Sequence, residues 1–89
     1  MRKGRYMEDK IIIIFKKKPG EQGIDIEVPL NISAGELIYG LSQGLHLGIN
    51  MDNPEECYLR AENPVALIRG EASLEELGLR NGTTVYYDR

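Results

Sequence analysis

Residues 33–46 constrain the fold of this chain more than any other stretch. Ser33-Ala34-Gly35-Glu36 has the Ser-x-x-Glu spacing of a capping box. In that motif the hydroxyl accepts from a free backbone N–H, and the Glu carboxylate reaches back to the cap residue's own N–H. Leu37, Leu41 and Leu45 then recur every four residues, with Ala34 and Ile38 beside them, so the predicted helix carries one apolar stripe. Gly35, Gly40 and Gly44 fall inside the same stretch, and each costs about 1 kcal/mol relative to Ala. A helix so weakened does not persist alone in water. It needs a second layer, and the flanking segments must supply it.

Those segments read as strands. Residues 10–18 place four consecutive isoleucines before Phe15, a β-branched run too short for a free-standing helix. Apolar residues at both parities predict a central strand, one face under the helix and the other partly covered. Residues 19–23 (Pro-Gly-Glu-Gln-Gly) are turn chemistry. Residues 24–28 alternate, so Ile24, Ile26 and Val28 are expected inward and Asp25 and Glu27 outward. The two runs make a hairpin. Lys16, Lys17 and Lys18 gather at its predicted tip, either as a docking patch for acidic surfaces or as a solvated hairpin end.

After the helix and Gly48, a loop over residues 48–56 is expected to tuck Ile49 and Met51 against it. Residues 57–61 read as a third strand and residues 65–68 as a short edge strand. Ser73-Leu74-Glu75-Glu76 predicts a single capped helical turn closed by Gly78. Asn81-Gly82 is a turn signal, and residues 83–87 a closing strand. A mixed sheet of four to five strands satisfies this order, with first and last strands side by side and the helix across one face. That is an α+β, β-grasp arrangement.

Composition narrows the function classes. The 89 residues suit one domain with one modest core. The net charge of −3 argues against nucleic acid as a partner. Cys57 is the only cysteine, so no intrachain disulfide forms and nothing marks a secreted protein. The longest apolar run, residues 11–15, falls far short of the ~20 residues of a membrane span. Residues 1–10 lack the apolar region of a signal peptide, so a cytoplasmic location is expected. Residues 1–9 are aperiodic with three basic side chains, and read as a flexible basic leader ahead of a domain at 10–89. Such a leader suits contact with acidic lipid or an acidic partner.

No catalytic constellation is evident. His46 is the only histidine and sits at the helix end, where a cap or surface role is expected. Cys57 lacks a paired second histidine and reads as a half-buried structural thiol. One His and one Cys do not make a metal site, and no phosphate-binding glycine motif occurs, so neither metal nor cofactor is expected. Glu55-Glu56 and Glu75-Glu76 are adjacent pairs that do not face one site. The chain reads as a non-enzyme. In the closing strand, Tyr86 is expected outward near the outward isoleucines of the first strand. There it either forms an interaction patch or is covered by the stems of Lys16 and Arg60.

Residues 10–87 resemble ubiquitin. The resemblance is carried by the strand-turn-strand of residues 10–28, the Ser-capped helix, and above all Ser73-Leu74-Glu75-Glu76-Leu77-Gly78-Leu79-Arg80-Asn81-Gly82-Thr83-Thr84-Val85-Tyr86. It implies Val85 and Tyr87 inward and Tyr86 outward. Ubiquitin and sulfur carriers end in a Gly-Gly tail, whereas this sequence ends Tyr86-Tyr87-Asp88-Arg89, so conjugation is not expected. The positions matching ubiquitin's apolar recognition patch are Lys17 or Lys18, Arg60 and Asp88, which replaces the patch with charge. A short, acidic, tailless ubiquitin-like chain is similar to the YukD/EsaB family, cytosolic accessory proteins of bacterial type VII (ESX/WXG100) secretion systems. That resemblance implies protein partners, such as a membrane component or ATPase of the machinery, and no catalysis. The alternatives are a ubiquitin or sulfur-carrier modifier, a generic β-grasp adaptor, or a domain that self-assembles through the edge at residues 65–68. The oligomeric state is left open. Lys16, Lys17, Lys18, Arg60 and Tyr86 are the interaction residues this reading singles out.

Overall fold

A computed structural model describes residues 9–87. In chain order it contains β1 (Lys10–Lys16), β2 (Ile24–Pro29), α1 (Ala34–Leu45), β3 (Leu59–Glu62), β4 (Ala66–Ile68) and β5 (Thr84–Tyr86). The strands form one sheet in the order β2-β1-β5-β3-β4. β1 and β5 run parallel, and the remaining neighbours pair antiparallel. The fold is therefore the expected α+β ubiquitin-like β-grasp, a mixed sheet with the first and last strands side by side and one helix packed against it.

Alternation along each strand assigns its faces. Ile11, Ile13 and Phe15 are buried on the helix side of β1, while Ile12 points away and is 47% exposed. Across the hairpin, Ile11 pairs with Val28, Ile13 with Ile26 and Phe15 with Ile24. Ile24 thus shares the helix face as expected, yet it is 49% exposed. It begins its strand, where the end of α1 at Leu45 leaves a hollow lined by Phe15, Lys17 and Ile24. From the helix, Ala34, Leu37, Ile38 and Leu41 are buried, with Leu45 packed half-buried at the margin. Leu59, Ala61, Ile68, Leu74, Leu79 and Val85 complete the core, and Ile49 closes it from the loop after the helix.

Both ends of α1 are built by the residues that predicted them. Ser33 Oγ accepts from Glu36 N–H at 3.0 Å, and Glu36 Oε1 accepts from Ser33 N–H at 2.8 Å. At the other end His46 is the C-cap, with φ +57, and Leu47 N–H donates to the Ser42 carbonyl at 3.0 Å. This is a left-handed cap of the kind usually given to Gly or Asn.

A second Ser–Glu box lies opposite the first. Ser73 Oγ accepts from Glu76 N–H at 3.0 Å, and Glu76 Oε1 accepts from Ser73 N–H at 2.8 Å. The expected helical turn is here a run of turns that never lengthens into a helix. Leu77 N–H reaches the Ser73 carbonyl, Gly78 N–H reaches that of Glu75, and Gly78 at φ +82 ends the coil. The two capped segments are zipped together. Leu74 and Glu75 N–H donate to the carbonyls of Ile32 and Leu30, each at 3.0 Å. In return Ala34 and Gly35 N–H, which have no partner inside the helix, donate to Ala72 and Gly70 at 2.8 and 2.9 Å.

The third strand begins later than residues 57–61 suggest. Cys57 N–H is taken by the Asn53 carbonyl and Tyr58 N–H by that of Glu56, so both belong to the preceding turn and the ladder starts at Leu59. Asn81-Gly82 forms the expected turn: Thr83 N–H donates to the Arg80 carbonyl at 3.0 Å, with Gly82 at φ +90, the requirement of a type II turn. Asn81 Oδ1 accepts from Ile12 N–H at 2.7 Å and anchors that turn to β1.

Substitutions at three positions test this packing. Thr83 is fully buried; its Oγ1 donates to the Asn63 carbonyl at 2.8 Å and accepts from Arg80 N–H at 3.0 Å. Thr83→Val leaves both backbone groups unpaired and is expected to lower stability by about 1–3 kcal/mol; Thr83→Ser, which retains the hydroxyl, should lose less, measured as urea unfolding midpoints. At Gly23 an added Cβ would overlap Ile14 Cγ2 and lie 3.3 Å from the Phe15 carbonyl. Ile14 is β-branched and stiff, so Gly23→Ala is expected to cost roughly 1–3 kcal/mol by overpacking. Gly40→Ala, which meets nothing within 4 Å, should instead stabilise by about 0.5–1 kcal/mol in the same assay.

Candidate functional site

With α1 over one face of the sheet, no other element among the described residues covers the opposite face, and strand register determines what stands on it. Lys16 pairs with Tyr86, Tyr86 with Arg60, and Arg60 with Leu67. Directly paired residues share a face with Cβ atoms about 4.5–5.5 Å apart. Lys16, Tyr86, Arg60 and Leu67 therefore form one row across β1, β5, β3 and β4. A second row beside it runs Asp25, Ile14, Thr84 and Glu62.

The side chains of the first row are held in different ways. Tyr86 is half-buried, and its hydroxyl donates to Glu62 Oε1 at 2.5 Å. Arg60 is exposed, with its guanidinium carbon 6.0 Å from the centroid of the Tyr58 ring, at the outer limit of a cation–π contact. Leu67 is 48% exposed and Val65, just before β4, is 88% exposed. Tyr86, Arg60, Glu62, Val65 and Leu67 line a shallow groove of about 580 Å³, with Pro19 from the β1–β2 tip at one end. A neighbouring hollow is lined by Tyr58, Arg69 and Glu55 and shares Arg60 and Leu67 with the groove. The two make one aromatic-aliphatic band edged with charge.

The residues singled out from the sequence divide between two places. Lys16, Arg60 and Tyr86 come together in the row. Lys17 and Lys18 do not: both are exposed at the hairpin tip, and Lys17 turns to the hollow on the helix side with Phe15, Ile24 and Leu45. The lysine run is thus split by the end of the strand, Lys16 still in the ladder and the next two beyond it. Asp88 and the basic leader lie outside the described residues. Val65, Leu67, Tyr58, Arg69 and Pro19 were not expected at the site. The apolar residues at 65–68 marked an edge strand, but no local pattern showed that Leu67 would lie in the row with Arg60 and Tyr86.

His46 terminates α1. Cys57 is half-buried, with its Sγ 3.8 Å from Met51 Sδ. Among the described residues no group of three or more His, Cys, Asp or Glu side chains is placed to hold a metal ion. No helix among them is long and apolar enough to cross a membrane. The open face is amphipathic, with Tyr86 and Arg60 at its centre, residue types enriched where binding energy concentrates in interfaces.

A search of curated proteins finds no match to this chain. The family model described as WXG100 protein secretion system (Wss), protein YukD, matches residues 12–86. That match runs from within β1 to the last residue of β5 and takes in every element that builds the open face. The chain belongs to the YukD family of WXG100 secretion-system proteins, a family of ubiquitin-like proteins.

Proposed function

We propose that this chain is a non-catalytic docking component of a bacterial type VII secretion apparatus, acting in the cytoplasm and binding a membrane-embedded subunit or ATPase of that apparatus through the open sheet face. The family match across residues 12–86 carries this reading. Two features of the fold support the choice of surface. The helix face is consumed by the core, whereas the row Lys16, Tyr86, Arg60 and Leu67 stays accessible on a rigid sheet. The residues most suited to nucleophilic or acid–base work, Cys57 and His46, have structural roles in a loop and a helix cap, which favours binding over catalysis. The exposed lysines at the hairpin tip, Lys17 and Lys18, stand outside this surface and serve as an internal comparison.

The test is crosslinking and affinity capture from native cells with wild type, Arg60→Glu, Tyr86→Ala and Lys17→Glu/Lys18→Glu. A membrane secretion component or its ATPase should be captured by wild type and by the double-lysine variant. Capture should fall about tenfold or more for Arg60→Glu and Tyr86→Ala, the size of a hot-spot loss of ~1.4 kcal/mol or more. Arg60 is exposed, so its variant should melt at the wild-type temperature, which separates lost docking from lost fold. Capture that is unchanged by Arg60→Glu and abolished by the lysine change would move the site to the tip. Recovery of an adenylating enzyme joined to the C-terminus would replace docking with a carrier role.

A further inference from the structure

Among the described residues the sheet has two open edges of opposite character. β2, at one side, pairs only with β1 and carries Asp25 and Glu27, both exposed, toward the open face. β4, at the other side, pairs only with β3. Its exposed residues on the open face, by alternation, are Val65, Leu67 and Arg69, with Arg60 directly beside Leu67. An unpaired strand edge is a template for another strand, and addition of a peptide there takes affinity from the backbone and selectivity from alternate side chains.

We propose that the free edge of β4 receives an extended, acidic segment of a protein partner as a sixth strand, its carboxylates on the open face toward Arg60 and Arg69 and its alternate apolar side chains on the helix side beside Ala66. This rests on the open face being the docking surface and names the chemistry of its occupant. Charge supports the choice. The whole chain has a net charge of −3, yet Lys16, Arg60 and Arg69 stand on this band without an ion pair among the described residues. Of the carboxylates nearby, Glu62 is held by the Tyr86 hydroxyl and Glu55 stands at the rim of the Tyr58 hollow. An acidic strand brings carboxylates within reach of Arg60 and Arg69, which have no ion pair among the described residues. The same strand is repelled by Asp25 and Glu27 at the β2 edge, so the two edges discriminate. A second copy of this chain would bring the same cations to the seam.

The probe is an N-acetylated, fluorescein-labelled peptide of sequence Glu-Val-Asp-Val-Glu-Ile-Asp, with a version carrying Lys at every acidic position as control. Binding to the full chain is read by fluorescence anisotropy, and its place by ¹H–¹⁵N chemical shifts. The expected result is saturable binding of the acidic peptide only, weakened by added salt, with shifts centred on residues 58–60 and 65–69. Arg60→Glu/Arg69→Glu should weaken it about tenfold or more; both side chains are exposed, and unchanged melting of the variant shows that the fold is intact. Equal binding of the two peptides, shifts centred on β2, or no binding at millimolar peptide would overturn the proposal. So would concentration-dependent dimerisation of the free chain with shifts at residues 65–69, which would make a second copy the occupant. If Arg60→Glu abolishes capture of a secretion component while the peptide does not bind, strand addition fails and docking through the open face stands.

Discussion

The architecture depends on the backbone zipper between residues 30–35 and 70–75. The first N–H groups of a helix are orphans that must find acceptors outside it. Here Ser33 Oγ takes one, and the carbonyls of Gly70 and Ala72 take two more. The reciprocal bonds from Leu74 and Glu75 to Ile32 and Leu30 return the favour at the same seam. Forty residues of sequence separation are closed at this point, and the closure places Leu74 fully inside the core against the helix layer. Everything C-terminal to it is thereby aimed: the Asn81-Gly82 turn reaches Ile12, and β5 enters the gap between β1 and β3.

That insertion makes both the core and the open face. Val85 comes to rest with no exposure between Phe15 and Ala61, its pairing partners. Because side chains alternate, the next residue, Tyr86, must emerge on the opposite side, between Lys16 and Arg60. The amphipathic row is thus a consequence of the same register that buries Val85. A one-residue slip would exchange the two faces entirely, so the surface is as firmly specified as the core it backs. Buried Thr83 guards that register, tying the turn before β5 to Asn63 in the β3–β4 connection.

Much of this was legible in the residues. The capping box and four-residue leucine spacing located α1 to within a residue at each end, because those signals are local and depend on chemistry within a single turn. The isoleucine run, the alternation at residues 24–28 and Asn81-Gly82 were equally readable. Other features were only partly so. Ile24 has the inward parity that alternation demands and is still half-exposed, because the helix ends before covering it. Cys57 and Tyr58 have strand-forming composition, yet their N–H groups are claimed by the turn preceding the strand.

The candidate site divides along the same line. That Tyr86 faces outward came from the sequence and its resemblance. Local residue order, through periodicity and capping chemistry, determined most of the elements and the fold, and the resemblance of the motifs pointed to the family that the match over residues 12–86 shows. Only the tertiary structure decided that Lys16 joins Tyr86 and Arg60 while Lys17 and Lys18 do not, and that Leu67 and Val65 complete the band. Neighbours across a sheet are set by register between strands distant in sequence, and that register is settled by burial and backbone pairing of the whole chain at once.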